Sequence, residues 1–465
     1  MKSLLFLKPG SASSPSDSNR SGEVVKSRSE TTQSAPPVDS SVAMDLNRIF
    51  QAYAGPAFTI RFWDGAVWDS SIDESRFEII LKSEQAWKTL TSMPDEISLG
   101  RQYVEGGIEV GGDLYLALRA VPSLERAIRT SLPTTIVLLR EWAEGFISSA
   151  GRLCRFGAKH NKSRDAAAIS QHYDKPSSFY KLFLGPSMVY SCAYFQRMTN
   201  DLTQAQTDKM ELICRKLNLE SSERFLDIGC GWGSLLLHAV RKYGVYGHGV
   251  SLSKEQVAYA QDRIAEEKRG SRCCAMLMDY RDLLRDHRPF NKLASVGMCE
   301  HVGQRQIDGY FRNAYDLLVP GGLFLNHGIT RSAKAKRGGP SFVDRYVFPD
   351  GELLTLTEMI RSAEEAGFEV RDVEDLREHY EETLHRWVDS LTRHEQEAIS
   401  LTDRETYRVW KLYMAGSAEA FRRGEIAIHQ LLLSKSSGGK SNATRTRSDW
   451  YTCPWDKLDS EGLAG

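Results

Sequence analysis

The run Phe225-Leu226-Asp227-Ile228-Gly229-Cys230-Gly231-Trp232-Gly233 sets three glycines between an apolar segment and the amphipathic segment Ser234–Tyr243. Glycine lets a backbone turn sharply and come close to a ligand, and the start of a helix presents unpaired N–H groups. Such a loop suits an adenosyl or dinucleotide ligand. Further on stand Asp279-Tyr280-Arg281-Asp282, which read either as a surface turn or as a third ligand position, with Asp279 hydrogen-bonding an adenine amino group and Tyr280 covering the ring. The GxGxG spacing alone serves a nicotinamide dinucleotide as well as any other adenosyl ligand, so the surrounding elements must decide.

Those elements alternate in the βαβ manner. A helical segment at 209–217 leads to a strand at Arg224–Ile228, a helix at Ser234–Tyr243, a strand at 245–250 and a helix at 254–269. A strand at 292–296, a helix at 306–317 and a strand at 322–326 extend this to a largely parallel sheet covered on both faces. Nearer the start, Phe58-Thr59-Ile60-Arg61-Phe62 and Phe77-Glu78-Ile79-Ile80-Leu81 alternate as strands, and glycines at 106, 107, 111 and 112 mark turns. This is the pattern of a small α+β domain. From 124 to 160 the pattern turns helical and then basic (Arg152, Arg155, Lys159, Lys162, Arg164), which reads as a solvated linker or as a phospholipid headgroup contact.

A length of 465 residues, 41% hydrophobic and 26% charged, fits two globular domains with polar ends. Sixty basic residues against sixty-one acidic ones leave a formal charge of -1, so no overall field draws the chain onto nucleic acid or anionic lipid, and any membrane attraction is local. The eight cysteines form neither a CxxC pair nor a zinc spacing and fit a reducing cytoplasm. No apolar stretch approaches a transmembrane span, and residues 4–7 are too short for a signal-peptide core. Residues 11–41 are Ser-, Pro- and Thr-rich and read as disordered. A polar stretch at 434–448 precedes Trp450, Tyr451 and Trp455, aromatic residues suited to docking a C-terminal segment onto the body.

The run LDIGCGWG, acidic just before its glycines, resembles the cofactor loop of class I S-adenosylmethionine methyltransferases. Most of those enzymes carry an acid after the next strand; this chain has Ser251 and, five residues on, Gln256, a pairing that resembles the cyclopropane-fatty-acyl-phospholipid synthase and mycolic acid cyclopropane synthase family. Upstream, Gln171-His172-Tyr173-Asp174, the Phe179 to Leu184 run and Tyr190-Ser191-Cys192-Ala193-Tyr194-Phe195 follow in that family's order, and the similarity spans about 169–433. Residues 94–114 resemble the N-terminal domain of the bacterial phospholipid enzymes, which the shorter mycolic enzymes lack.

The resemblance implies an α/β fold, a class I (Rossmann-like) doubly wound sheet with a smaller N-terminal α+β domain. It implies a disordered tail at 1–43, a lipid-associated N-terminal domain at 44–122, a helical linker at 123–168, the catalytic domain at 169–434 and a polar tail at 435–465. It assigns S-adenosyl-L-methionine to Tyr190, Ser191, Asp227, Gly229, Gly231, Gly233, Ser251, Gln256, Asp279 and Tyr280. The implied substrate is an unsaturated phospholipid acyl chain at the inner membrane surface, and homodimerisation through the N-terminal domain is expected.

An alkene is a poor nucleophile, so its double bond must be held in line with a sulfonium methyl, away from water. Methyl transfer leaves a carbocation, and ring closure then needs a base. By resemblance this is a bicarbonate held by Cys192, Glu300, His327 and Tyr380 with the Ile329 backbone, and a set of His, Tyr and N–H donors beside a carboxylate can hold an anion. Taken singly, each has a duller reading: Cys192 as a small core residue, His327 as a core histidine, Glu300 and His301 as helix caps, Tyr380 as packing. The segment from Tyr346 to Gly351 resembles the family's lid, and Trp387, Trp410, Tyr413, Met414 and Phe421 read either as the lining of an acyl channel or as core. The basic insertion at 332–339 reads as a solvated loop or as a headgroup contact. Rival outcomes are a methyl-branched acid, a small-molecule N-methyltransferase, and a catalytically silent lipid-binding scaffold.

Overall fold

The computed structural model describes residues 36–92, 95–131, 172–173, 175–285, 288–335, 341–349 and 351–451. They fall into two compact units, one holding the described residues up to Ser131 and the other those from His172 onward. The basic linker and Trp455 lie outside the described residues, as does the second half of the basic insertion, 336–339.

In the first unit, β1 (Phe58–Arg61), β2 (Val67–Asp69), β3 (Phe77–Leu81) and β4 (Ile108–Gly112) form a sheet in the order β2-β1-β3-β4. Burial alternates along β1 and β3, so Phe58, Ile60, Phe77, Ile79 and Leu81 all face the core. Helices α1 (Ser40–Ile49), α2 (Glu84–Thr91), α3 (Glu96–Val104) and α4 (Leu114–Ser131) accompany the sheet. Two expectations shift here. Helix α1 begins inside the tail expected to be disordered, because Asp39 accepts a hydrogen bond from Ser41 N and Leu46 is buried. Helix α4 runs on through residue 122, because Ala117, Ala120, Leu124, Ala127 and Ile128 bury one continuous stripe on both sides of Pro122.

The second unit is built on a seven-stranded sheet in the order β10-β11-β9-β8-β5-β6-β7. Its strands are β5 (Arg224–Ile228), β6 (Tyr246–Ser251), β7 (Cys273–Leu277), β8 (Phe290–Val296), β9 (Leu318–Arg331), β10 (Glu369–Asp375) and β11 (Ile426–Ser434). Strands β7, β6, β5, β8 and β9 run parallel to one another, and β11 runs antiparallel to both β9 and β10. Helices α5 (Ser177–Leu184), α6 (Leu202–Lys216), α7 (Ser234–Tyr243), α8 (Lys254–Glu266) and α9 (Ile307–Leu317) belong to this unit, as do α10 (Phe342–Tyr346), α11 (Leu356–Glu365), α12 (Arg377–Arg393), α13 (Glu395–Leu401), α14 (Arg404–Arg422) and α15 (Ser448–Tyr451). Apolar clusters fill the space around the sheet, one with Phe225, Leu236, Val240 and Ile264, another with Leu226, Phe290, Phe311 and Phe324.

From β5 the chain winds outward through β6 to β7, then crosses back to β8 and β9 on the other side. Loops leaving the carboxyl ends of β5 and β8 therefore diverge and leave a crevice, the usual ligand position in an open α/β sheet.

Candidate active site

The crevice holds a cleft enclosing about 1160 Å³, lined at the strand ends by Ile228 to Gly231, Val250 to Leu252, Met278, Tyr280 and Val296 to Met298. After β5 the backbone turns through Gly229, Gly231 and Gly233, with φ of 82°, 53° and 81°. Only glycine adopts such angles without strain. The amides of Gly229 and Cys230 both donate to Val250 O, at 2.9 and 3.0 Å, pinning the loop to β6. Gly229 and Gly231 line the cleft. Gly233 does not: a Cβ there would stand 3.0 Å from Ala260 Cβ, so this glycine lets α7 pack closely on α8.

Ser251, at the end of β6, donates from Oγ to Gln256 Oε1 at 3.0 Å, and Ser253 caps α8 by accepting from Gln256 N. The result is a neutral, hydrogen-bonded pair facing the cleft where an acid usually stands. Tyr280 lines the cleft as expected. Asp279 does not: its carboxylate accepts from Arg281 N, Nε and Nη2 at 2.9, 2.8 and 2.6 Å. A guanidinium two residues along the chain closes this charge-assisted fork, which the residue order alone did not disclose.

Tyr190, Ser191 and Asp227 line the same cleft, Asp227 with only 2% of its surface exposed. Burial pushes the Asp227 carboxyl up to about 7, against the pull of Lys209. The Lys209 side chain also lines the cleft. It went unnoticed in the sequence, although it falls on the buried stripe of α6 between Ala205 and Ile213, where a lysine is out of place.

A second cavity of about 570 Å³ shares Tyr173, Tyr190, Ser191, Gly297 and His301 with the first. Its remaining walls are Glu300, Ile329, Phe348, Gly351, Leu353, Tyr380, Tyr413 and Ile428. Glu300, on the turn after β8, accepts from Ile329 N at 2.7 Å, and burial raises its pKa. The Ile329 amide is thus committed to Glu300. Tyr380 packs against Phe421, with ring centroids 4.7 Å apart, and burial holds its hydroxyl protonated.

Cys192 and His327 are both fully buried and line neither cavity. The Cys192 thiol, kept protonated by burial, points at Ala193 O and Leu376 O. His327 shares a face of β9 with Ile329, and its Nδ1 lies 3.3 Å from Gln430 Nε2 on β11. Burial drives its pKa well below the usual range, and its Nε2 has no hydrogen-bond partner. Of the aromatic and apolar residues expected along an acyl channel and its lid, Tyr413 and Phe348 form cavity wall, while Trp387, Met414 and Phe421 are core. Trp410 is also buried, its ring centroid 4.8 Å from that of His172, whose own centroid lies 4.0 Å from that of Phe348 and whose Nδ1 is 3.1 Å from Val347 O. Among the described residues no cluster of metal-ligating side chains occurs.

The sheet order and the glycine loop at the end of the interior strand β5 define a class I methyltransferase domain. Residues 160–431 match the family model described as mycolic acid cyclopropane synthetase, and the chain belongs to that family, one of S-adenosylmethionine-dependent methyltransferases. It is 39% identical over 397 residues to a probable fatty acid methyltransferase of Pseudomonas putida, which covers 84% of this chain and 95% of the relative. A probable fatty acid methyltransferase of Mycobacterium tuberculosis is 33% identical over 421 residues, 87% of this chain and 97% of the relative. The crystal structure of mycolic acid cyclopropane synthase CmaA1 complexed with SAH and CTAB superposes with a TM-score of 0.56 at 33% identity, over 60% of this chain and 99% of that one.

Proposed function

We propose that this protein adds the methyl carbon of S-adenosyl-L-methionine to the cis double bond of an unsaturated phospholipid acyl chain and closes it to a cyclopropane ring. The observation that carries this reading is the junction of the two cavities: the glycine-loop cleft shares its Tyr173, Tyr190 and His301 walls with an aromatic and aliphatic chamber that holds the buried Glu300.

When bound, S-adenosyl-L-methionine supplies an electrophilic methyl group and bicarbonate supplies a base. Tyr280, Ser251 and Gln256 are placed to hold the adenosyl end. Phe348, Leu353, Ile428 and the tyrosine rings accept an acyl chain and exclude water, and their π faces favour positive charge developing beside them. An acyl carbocation closes to a ring when the added methyl carbon loses a proton and bonds to the cationic carbon. Its neighbours must therefore hold a base without themselves trapping the cation. Of the residues in the chamber wall, Tyr380 offers a hydroxyl to a bicarbonate and Glu300, its pKa raised, can stand neutral beside an anion, while His327 Nε2, a buried atom wanting a partner, lies behind that wall. With Glu300 occupying the Ile329 amide, that amide positions the carboxylate and does not hold the anion directly.

The extra N-terminal unit supports phospholipid as substrate, with the protein reaching it from the membrane surface. No helix among the described residues is long and apolar enough to cross a membrane. Homodimerisation is part of the same reading, and sedimentation at a single-chain mass at micromolar concentration would oppose it. A second reading, a methyl-branched acid as product, is favoured by the names of the two relatives matched over nearly their whole length.

Expression in a bacterium lacking its own cyclopropane synthase, with mass spectrometry of fatty acid methyl esters, separates the readings. Ring-containing acids that vanish with Glu300→Gln are expected. Methyl-branched acids, heavier by two hydrogens, would select the second reading, and an unchanged lipid profile would overturn both.

A further inference from the structure

Three lysines are buried among the described residues, and they differ in how their charge is met. Lys216 contacts Asp372 and Glu374 at 3.0 and 2.5 Å. Lys292 donates to Leu217 O and Asn218 O at 2.8 and 2.9 Å, with Glu223 at 3.6 Å. Lys209, 1% exposed, makes a single hydrogen bond, to Ser191 Oγ at 2.9 Å. An ammonium has three donors, so two on Lys209 remain in a place closed to bulk water. A buried donor without an acceptor is costly, and this side chain lines the cofactor cleft.

The charged and titratable groups that face Lys209 are Cys192, Asp227 at the end of β5, and His327 on β9. Of these Asp227 alone is a carboxylate, and it makes no hydrogen bond to Lys209. Burial holds Lys209 down to about 8 and Asp227 up to about 7, and the attraction between the two, made without a direct contact, opposes both shifts.

Strand order fixes which end of an adenosyl ligand meets this pair. The cleft runs from Tyr280 beyond β7, past Ser251 and Gln256 at β6, to Asp227 and the glycine loop at β5. A ligand with its base on Tyr280 and its ribose at Ser251 and Gln256 directs whatever extends from the ribose 5′ carbon toward β5. There Asp227, Ser191 and Lys209 offer an anion, a hydroxyl and a cation, complementary to an amino-acid zwitterion.

We propose that Lys209, with Ser191 as its hydrogen-bonded companion, recognises the carboxylate of the cofactor's amino-acid end, while Asp227 faces the ammonium. This rests on the S-adenosyl reading of the cleft. Lys209 is in this sense a specificity-determining residue, separating ligands with an amino-acid end from adenosyl thioethers without one.

The test is calorimetry on the full chain with two ligands, S-adenosylhomocysteine and its decarboxylated counterpart, which keeps the amine and loses only the carboxylate. The wild type should bind the first at least about tenfold more tightly, the usual scale of a charge-assisted hydrogen bond. That ratio should fall as pH rises through about 8, where Lys209 loses its proton, and the Lys209→Met protein followed over the same range corrects for the different basicities of the two ligand amines. Lys209→Met should lower the affinity for S-adenosylhomocysteine to that of the decarboxylated ligand and leave the latter unchanged, and Lys209→Arg should recover part of the ratio. Equal affinities in the wild type, or a Lys209→Met protein that still prefers the carboxylate, would overturn the inference while the cofactor reading stands. If the wild type binds neither ligand, the cofactor reading falls and this inference with it. The wild-type ratio decides the matter even if Lys209→Met fails to fold.

Discussion

The Ile329 amide donates to Glu300 Oε1 at 2.7 Å, so a main-chain group on β9 fixes the carboxylate that projects from the turn after β8. Glu300→Gln keeps an oxygen acceptor for that amide but cannot gain or lose a proton. We predict a protein of native fold by circular dichroism whose product formation falls about a hundredfold or more, the scale of general acid–base catalysis. Glu300→Ala leaves the Ile329 amide without its partner and should also lower the melting temperature.

Asp227 makes the linkage between pH and stability visible. Its folded pKa, about 7, lies above the value of an unfolded aspartate, so the folded state binds the proton more tightly. Its contribution is fully present below the unfolded pKa and is lost as pH rises through about 7. Ligand-free Asp227→Asn should therefore melt higher than the wild type at pH about 8, with the difference vanishing near pH about 4, while its affinity for S-adenosylhomocysteine falls. Scanning calorimetry at the two pH values checks the first claim. A melting temperature lowered by the same amount at both would contradict it.

Two glycines in one loop should fail differently. Gly233→Ala sets a Cβ 3.0 Å from Ala260 Cβ at a φ of 81°, and should destabilise the fold by about 1–3 kcal/mol. Gly231→Ala finds room, its nearest neighbour being Gln256 Nε2 at 4.0 Å, but fills the cleft itself. Its expected signature is weakened ligand binding with a smaller loss of stability, measured by denaturant titration beside calorimetry.

The C-terminal segment clasps the second unit through Trp450, 4% exposed, which packs into the core cluster of Leu432 and lies under Lys216 Nζ at 5.5 Å from its ring centroid. Tyr451 donates to Glu374 at 3.1 Å, and Arg447 pairs with Asp372. Trp450→Ala should lower stability by about 3 kcal/mol, as for other buried aromatic truncations. A mid-point of urea unfolding unchanged from the wild type would show the clasp to be ornamental.

The sequence by itself determined what depends on near neighbours in the chain. Glycines at 229, 231 and 233 dictate a turn with positive φ, and a short buried run and helical apolar spacing set β5 and α7 at the bounds read from the residues. The Ser251–Gln256 pair follows from one turn of capped helix. Only the tertiary structure decided which side chains are buried, and against what. Antiparallel insertion of β11 beside β9 sets Gln430 opposite His327, across 103 positions of chain. Packing of α6 against the sheet carries Lys209 to the wall of the cleft, and Arg281 turns the Asp279 carboxylate away from it. Backbone preference is a property of a few adjacent residues, whereas desolvation and hydrogen-bond partnership arise when distant segments exclude water together, and these set the charge state of Glu300, Asp227 and Lys209.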